Sequence, residues 1–167
     1  MGTAANAGLD ACPEDAKYVM FLDADDAMAA GAVQKLTATA EATGADVVVG
    51  DWVRYEVDTG KVVEAYDAQH TDPLPRDELF APEDYPSVMR MSPVPWRKLY
   101  ARRHLEAVRF PTGDYFYEDN AFHWFTLLGA KIAYAPHRVA AHTVNGPGQT
   151  TAFTADARPG AEEDGDL

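Results

Sequence analysis

Tyr18-Val19-Met20-Phe21-Leu22-Asp23-Ala24-Asp25-Asp26 sets five mostly apolar residues directly before three carboxylates in four positions. The apolar run has the length and composition of a strand buried on both faces. Its C-terminal end is where open α/β sheets place their ligands. Side chains alternate along a strand, so the spacing predicts that Asp23 and Asp25 point to the same side. Two like charges that close repel, and the pattern calls for a cation to hold them. A divalent ion with hard oxygen ligands, Mg²⁺ or Mn²⁺, is the natural candidate.

Upstream, Gly2 to Ala11 is rich in small residues and predicts a short helix abutting the sheet, and Glu14 to Lys17 a polar turn. Downstream, Val33, Leu36 and Ala40 recur at helical spacing within Met28 to Thr43. That predicts an amphipathic helix with Asp25 or Asp26 near its N-cap and Gly44 just past its end. The β-branched run Asp46 to Gly50 predicts a second buried strand, and the order strand, helix, strand a right-handed βαβ unit. Trp52 to Val57 alternates, Asp58-Thr59-Gly60 turns and Lys61 to Val63 returns, as a hairpin with one wetter face. Asp67 to Pro86, with Pro73, Pro75 and Pro82, reads as an irregular excursion, and Ser87 to Met91 as one helical turn. A helix is expected from about Asp119 to Leu128, with Phe122, Phe125 and Leu128 inward and Gly129 ending it. Ile132 to Tyr134 and Arg138 to Val144 read as strands, followed by the turn Asn145-Gly146-Pro147-Gly148.

A chain of 167 residues, 47% hydrophobic and 11% aromatic, is expected to fold as one domain with a real core. The formal net charge of -13 argues against a nucleic-acid partner, because phosphate binding needs basic surface. Any phosphate ligand needs a metal or local Arg and Lys to offset that field. Residues 154–167 read as an acidic disordered tail beyond a domain spanning 1–153. The single cysteine, Cys12, excludes an internal disulfide and fits a reducing compartment. No transmembrane segment is expected, since no stretch approaches the roughly 20 apolar residues of a span.

Three readings compete for the acidic motif. It is a solvated turn capping the next helix. Or it is the site of a haloacid dehalogenase-type aspartyl phosphatase, with Asp23 attacking phosphorus and Asp25 as acid/base. Or it is the Asp-x-Asp metal motif of nucleotide-sugar glycosyltransferases. A calcium EF-hand is excluded, since Met28 and Gln34 stand where its loop needs Gly and Glu. A second constellation, Tyr115-Phe116-Tyr117-Glu118-Asp119, sits at the mouth of the later helix. It reads either as a cap stabilised by the helix dipole or as a general base beside an aromatic-walled sugar site.

Together these pieces resemble a family 2 glycosyltransferase. Ala5-Asn6-Ala7-Gly8-Leu9 is similar to the family's Arg-Asn-x-Gly helix, with Ala5 where Arg is usual. Tyr18 to Asp26 is similar to its strand ending in Asp-x-Asp-Asp, and Ala45 to Val48 to the strand that follows. Trp96-Arg97-Lys98-Leu99-Tyr100 resembles its Trp-x-Lys-Leu-Tyr segment, and Arg109-Phe110-Pro111 with Tyr117-Glu118-Asp119 its Arg-Phe-Pro and Tyr-Glu-Asp segments. The phosphatase reading explains only the first acidic motif.

The resemblance implies an α/β fold, a partial GT-A three-layer sandwich with a mixed sheet, and metal-dependent, inverting transfer of a sugar from a nucleotide-sugar to an acceptor hydroxyl. Asp23 and Asp25 would meet the metal (Mg²⁺ or Mn²⁺) and, with Asp26, Arg97 and Lys98, the donor diphosphate. Asp119 would be the base and Glu118 its orienting partner. Trp96 and Tyr117 would wall the sugar, His142 would join the metal, and Gln149 to Thr151 would close over the site. The acceptor class implied is a glycan or glycolipid of cell-surface polysaccharide synthesis. The place implied is the cytoplasm, with peripheral association at the inner face of the membrane left open. The family's opening strand, helix and strand, which hold the nucleotide, find no counterpart before Gly2, so the chain alone is expected to bind donor weakly or not at all. The rival readings are the phosphatase and a non-catalytic remnant acting as a binding module.

Overall fold

The structure, a computed structural model, describes residues 2–64, 67–113 and 117–144. The Asn145 to Gly148 turn, the Gln149 to Thr151 loop, the tail and the rings of Tyr115 and Phe116 lie outside the described residues.

Two long strands form the spine, β3 (Val47–Glu56) and β7 (Ile132–Val144), paired in parallel along their length. β6 (Lys98–Ala101) lies antiparallel to the first part of β3, and β1 (Tyr18–Met20) lies antiparallel to β6. β1 and β3 therefore run the same way with β6 between them. On its far side β7 is flanked by β2 (Ala27–Met28) and β5 (Leu79–Phe80), both antiparallel. The expected hairpin is present: β4 (Lys61–Glu64) returns along β3.

The two strands expected on either side of Gly50 are one strand. β3 passes through register shifts at Asp51 and continues, and Gly50 lets it lie against β7. A Cβ there would stand 2.7 Å from both methyl carbons of Val139. β7 likewise runs unbroken through the two segments expected to be separate.

Both faces of the sheet are covered. On one, α2 (Ala32–Thr43) buries Ala32, Leu36 and Ala40 against Val48, Leu99, Ala133 and Val139. Its C-terminal stop at Gly44, with φ 73°, is the one expected. Its start is not. The acidic residues do not cap it: Gly31 stands at the N-cap, and the chain first forms β2. On the other face, α1 (Gly2–Asp10), α4 (Glu118–Leu127) and a 3₁₀ turn (Pro86–Arg90) pack on Val47, Val49, Tyr100 and Ile132. The four-residue α3 (Ala68–Thr71) lies in the proline-rich excursion. The result is a three-layer α/β sandwich on a mixed sheet.

Two burial expectations fail. β1 is only half-buried, at the end of the strand order, rather than enclosed on both faces. α4 turns a different stripe inward: Phe122, His123, Thr126 and Leu127 are buried, while Phe125 and Leu128 are each 58% exposed.

Candidate active site

An aromatic frame sets the distance between the two acidic segments. Phe21 meets Tyr100, Phe110 and Phe122 edge-on, at centroid separations of 5.8, 5.2 and 5.6 Å. Phe110 and Phe122 stack at 3.7 Å. Phe21 lies two residues before Asp23 and Phe122 three after Asp119, so one packed cluster holds both carboxylates. Edge-to-face aromatic pairs add about 0.5–1.5 kcal/mol each beyond the area they bury. Asn6 of α1 locks the third member: its side chain donates to the Phe110 carbonyl and accepts from the Phe110 N–H, both at 2.9 Å.

β1 stops at Met20, so strand alternation does not aim the acidic residues. A turn does: the Asp26 N–H donates to the Asp23 carbonyl at 3.2 Å. The turn brings one carboxylate oxygen each from Asp23, Asp25 and Asp26 within 4.8 Å of one another. Asp26 is anchored. Its Oδ1 accepts from the Thr143 N–H at 2.9 Å and pairs with His142 Nδ1 at 2.9 Å. Its Oδ2 is buried with no hydrogen-bond partner. Burial, then the charges of Asp26 and Asp25, push the Asp23 carboxyl above its ordinary range. Three hard oxygen donors, one of them orphaned, and mutual repulsion make a donor set that fits Mg²⁺ or Mn²⁺. A hollow of about 260 Å³, walled by Ala4, Ala5, Phe21, Leu22, Pro95 and Phe110, opens onto Asp23.

The second acidic segment begins with Tyr117 in the left-handed region, φ 64°, a conformation uncommon for a bulky residue. That kink starts α4 at Glu118 and puts Asp119 on the helix face that carries Phe122 and His123. Asp119 Oδ1 is buried without a hydrogen-bond partner. Burial first, then the charges of Asp23 and Glu118, push the Asp119 carboxyl up to about 6, with Lys98 opposing. Asp23 responds in turn to Glu118. The two segments thus lie within reach of each other's charge, the first with Asp25 exposed to solvent.

The cations expected at the phosphate are placed elsewhere. Arg97, 1% exposed, gives Nη1 to Asp67 at 2.7 Å and Nε to the Gly50 carbonyl at 2.8 Å. Asp67 also accepts from the Trp52 indole and the Ser92 N–H, so the cluster ties the proline-rich excursion to the bend of β3. Lys98 is wholly buried and donates to the carbonyls of Pro93 and Val94. Burial pushes its pKa well down. Neither side chain is offered to a ligand, and the lysine that a phosphatase reading needs is spent on these carbonyls. Trp96 is 2% exposed, edge-on to Trp52 and stacked on His142, so it walls the core rather than a sugar. Tyr117, at the N-cap of α4, is 80% exposed. His142 stands beside the carboxylate group rather than in it, and its bond to Asp26 raises its pKa.

Sequence reasoning missed Asp67 as the partner of Arg97 and Asn6 as the clamp on Phe110. Thirty residues separate the first pair and 104 the second, and no local pattern connects them. Among the described residues, no helix is long and apolar enough to cross a membrane.

A mixed sheet covered on both faces, with a carboxylate cluster beyond one strand and a desolvated carboxyl opposite, defines a GT-A type α/β domain. The chain belongs to glycosyl transferase family 2, whose profile matches residues 1–116. No curated protein matches it in sequence. Among solved structures it is similar to S. aureus TarS 1–349, at 19% identity and a TM-score of 0.66, covering 85% of this chain and 40% of that one. The same protein in complex with UDP-GlcNAc gives 18% identity, a TM-score of 0.67 and 86% and 38% coverage. In complex with UDP it gives 19% identity, a TM-score of 0.68 and 86% and 40% coverage. At these identities the likeness establishes the fold. The chain spans about two fifths of the length of those structures.

Proposed function

We propose that this chain carries the cation-binding and proton-accepting side of a metal-dependent, inverting sugar transfer from a nucleotide-sugar to an acceptor hydroxyl. The observation that carries the reading is the meeting of the Asp23-Asp25-Asp26 group with Asp119 through one aromatic cluster and one electrostatic field.

Asp23, Asp25 and Asp26 would hold the divalent ion, whose chemistry is to offset the charge that develops on the departing nucleoside diphosphate. His142 and the Thr143 N–H hold Asp26 in orientation. Asp119 takes the acceptor hydroxyl's proton from the face of the sugar opposite the leaving group. A carboxylate with a pKa near 6 is a better base than an ordinary aspartate and is still largely ionised at neutral pH. Glu118, one residue away, raises that basicity by its charge. A uridine diphosphate-sugar is the donor class to test first, because the similar fold of TarS is seen with UDP-GlcNAc and with UDP. Cell-surface polysaccharide or glycolipid is the acceptor class.

The test separates the two carboxylate groups. Mn²⁺ titrated into the chain and followed by electron paramagnetic resonance should bind the wild type and, only slightly more weakly for the loss of one neighbouring charge, Asp119→Asn. The double variant Asp23→Asn/Asp25→Asn should bind at least about tenfold more weakly. Equal Mn²⁺ affinity in all three would overturn the reading.

A further inference from the structure

Lys98 lies wholly out of water, 0% exposed. A charged amine persists there only where other groups replace its lost hydration. Two of its N–H bonds are spent on the stretch before Pro95: Nζ donates to the Val94 and Pro93 carbonyls at 2.7 and 3.2 Å. The rest of the offset has to come from charge. Asp67 attracts Lys98, but Arg97 holds Asp67 at 2.7 Å and itself repels Lys98. Asp119 also attracts it, more strongly than Asp67 does.

The placement agrees. Side chains alternate along β6, so Lys98 and Tyr100 share one side of it. Their partners on β3, Val49 and Val47, belong to the core layer under α4. Tyr100 meets Phe122 of α4 edge-on at 5.6 Å. Asp119 stands one turn before Phe122 on that helix, its Oδ1 buried without a hydrogen-bond partner. The carbonyls that hold Lys98 lead into Pro95, a wall of the hollow at Asp23. Lys98 thus lies under the cleft, tied to its wall and within reach of the Asp119 charge. Other groups bear on the pair. Asp23 and Glu118 push the Asp119 carboxyl up, and the chain's amino group, like Lys98, pulls it down. Burial pushes His123 down to about 3, so it is neutral, and pushes the Tyr100 hydroxyl up, so it stays protonated.

We propose that Lys98 is a positioning residue for the transfer: a fixed cation beneath the cleft that keeps Asp119 as the carboxylate able to receive the acceptor's proton. The role rests on Asp119 being the base, and Lys98 acts on it through charge, touching neither substrate nor metal. In the step itself the acceptor oxygen bonds to the sugar, its proton passes to Asp119, and the nucleoside diphosphate leaves with the bonding electron pair. Lys98 keeps its protons throughout. Once Asp119 is neutral, Lys98 has lost its counter-charge, which favours release of the new proton to water and resets the site. A buried lysine suits this task because, tied to two carbonyls, it cannot swing out to bind phosphate in place of the metal.

The test is ¹³C NMR of the Asp119 carboxyl in the metal-free full chain, in the wild type, Lys98→Met and Lys98→Gln. Both substitutions should raise the midpoint from its wild-type value near 6. The rise should be about one unit or more, a roughly tenfold change in the ionisation constant. Gln can still donate to the Pro93 and Val94 carbonyls. A midpoint that moves in Lys98→Met but not in Lys98→Gln would make Lys98 a tie for the loop and overturn the proposal, as would a midpoint unmoved in both. Reciprocity gives a second measurement that leaves Lys98 in place: in Asp119→Asn the Lys98 midpoint, read from its ¹³Cε, should fall by a similar amount. A Lys98 neutral at pH 7 in the wild type, or indifferent to Asp119→Asn, would overturn the proposal even if both Lys98 variants failed to fold. In sugar transfer, the kcat that Lys98→Met loses at about pH 6.5 should return by about pH 8.5 with the donor KM unchanged, because Asp119 then ionises unaided. An equal loss at both pH values would again overturn it. Equal Mn²⁺ affinity in the wild type and Asp23→Asn/Asp25→Asn would sink the sugar-transfer reading instead and leave these titrations as they stand.

Discussion

The turn after β1 and the first turn of α4 both present adjacent carboxylates, yet they sit in different physics. In the first, three acids converge at one turn: Asp25 is exposed, Asp23 half-buried, and Asp26, its side chain enclosed, is held by His142 and the Thr143 N–H. In the second, Asp119 is turned inward, one oxygen left without a partner, and its pKa rises to about 6. Composition alone would treat the two alike. Grouping separates them: three converging carboxylates make a place to gather positive charge, and one buried, unpartnered carboxyl a place to hold a proton near neutral pH. The aromatic cluster around Phe21 keeps them close enough to interact and rigid enough to stay apart.

Removing the base should have the largest effect. Asp119→Asn is expected to lower sugar transfer by about 10²–10⁴-fold while weakening Mn²⁺ binding only slightly, by the loss of one neighbouring charge. Parallel losses of both would collapse the distinction between the two segments. Next comes the scaffold. Arg97→Ala would strand Asp67 as an unpaired buried charge and should cost about 3–5 kcal/mol in urea denaturation. A loss below about 1 kcal/mol would mean that Arg97 is available to a ligand after all. Asn6→Ala leaves the Phe110 N–H and carbonyl without partners and should cost about 1–3 kcal/mol. It should also loosen the frame between the segments, read as faster amide exchange at Phe110.

The smallest effect is electrostatic. His142 has a raised folded pKa, so its bond to Asp26 adds stability that is fully present below the unfolded value of about 6.5. That contribution fades as pH rises through the folded value. His142→Gln should therefore flatten the pH dependence of stability on the alkaline side of about 6.5, while Mg²⁺ bound beside it should lower the imidazole pKa.

How much of this was legible in the sequence follows from the range of each interaction. Signals confined to a few residues read correctly: the Gly44 stop of α2, the Asp58-Thr59-Gly60 hairpin and, within a residue of the expected Asp119, the start of α4 at Glu118. What failed depended on neighbours distant in sequence. Gly50 and Asp51 looked like a break between strands because nothing local shows that β7 continues alongside and that Val139 fills the space a Cβ would need. Arg97 and Lys98 looked like phosphate ligands because a basic pair seems solvent-bound until Asp67 and the Pro93 and Val94 carbonyls are placed against it. On α4, Phe125 and Leu128 share helical spacing with Phe122, yet the sheet accepts Phe122 with His123, Thr126 and Leu127. Apolar spacing marked a helix there without saying which side the sheet would take.

The most direct measurement is the titration of the Asp119 carboxyl, followed by ¹³C NMR with and without Mg²⁺. Burial and the charge of Asp23 should place its midpoint near 6 in the metal-free chain. Mg²⁺ at the Asp23 group should offset that repulsion and move the midpoint down, and Asp23→Asn/Asp25→Asn should abolish the response to Mg²⁺. An Asp119 that titrates in the ordinary aspartate range, or that ignores Mg²⁺ in the wild type, would contradict a cation and a base acting across one cleft.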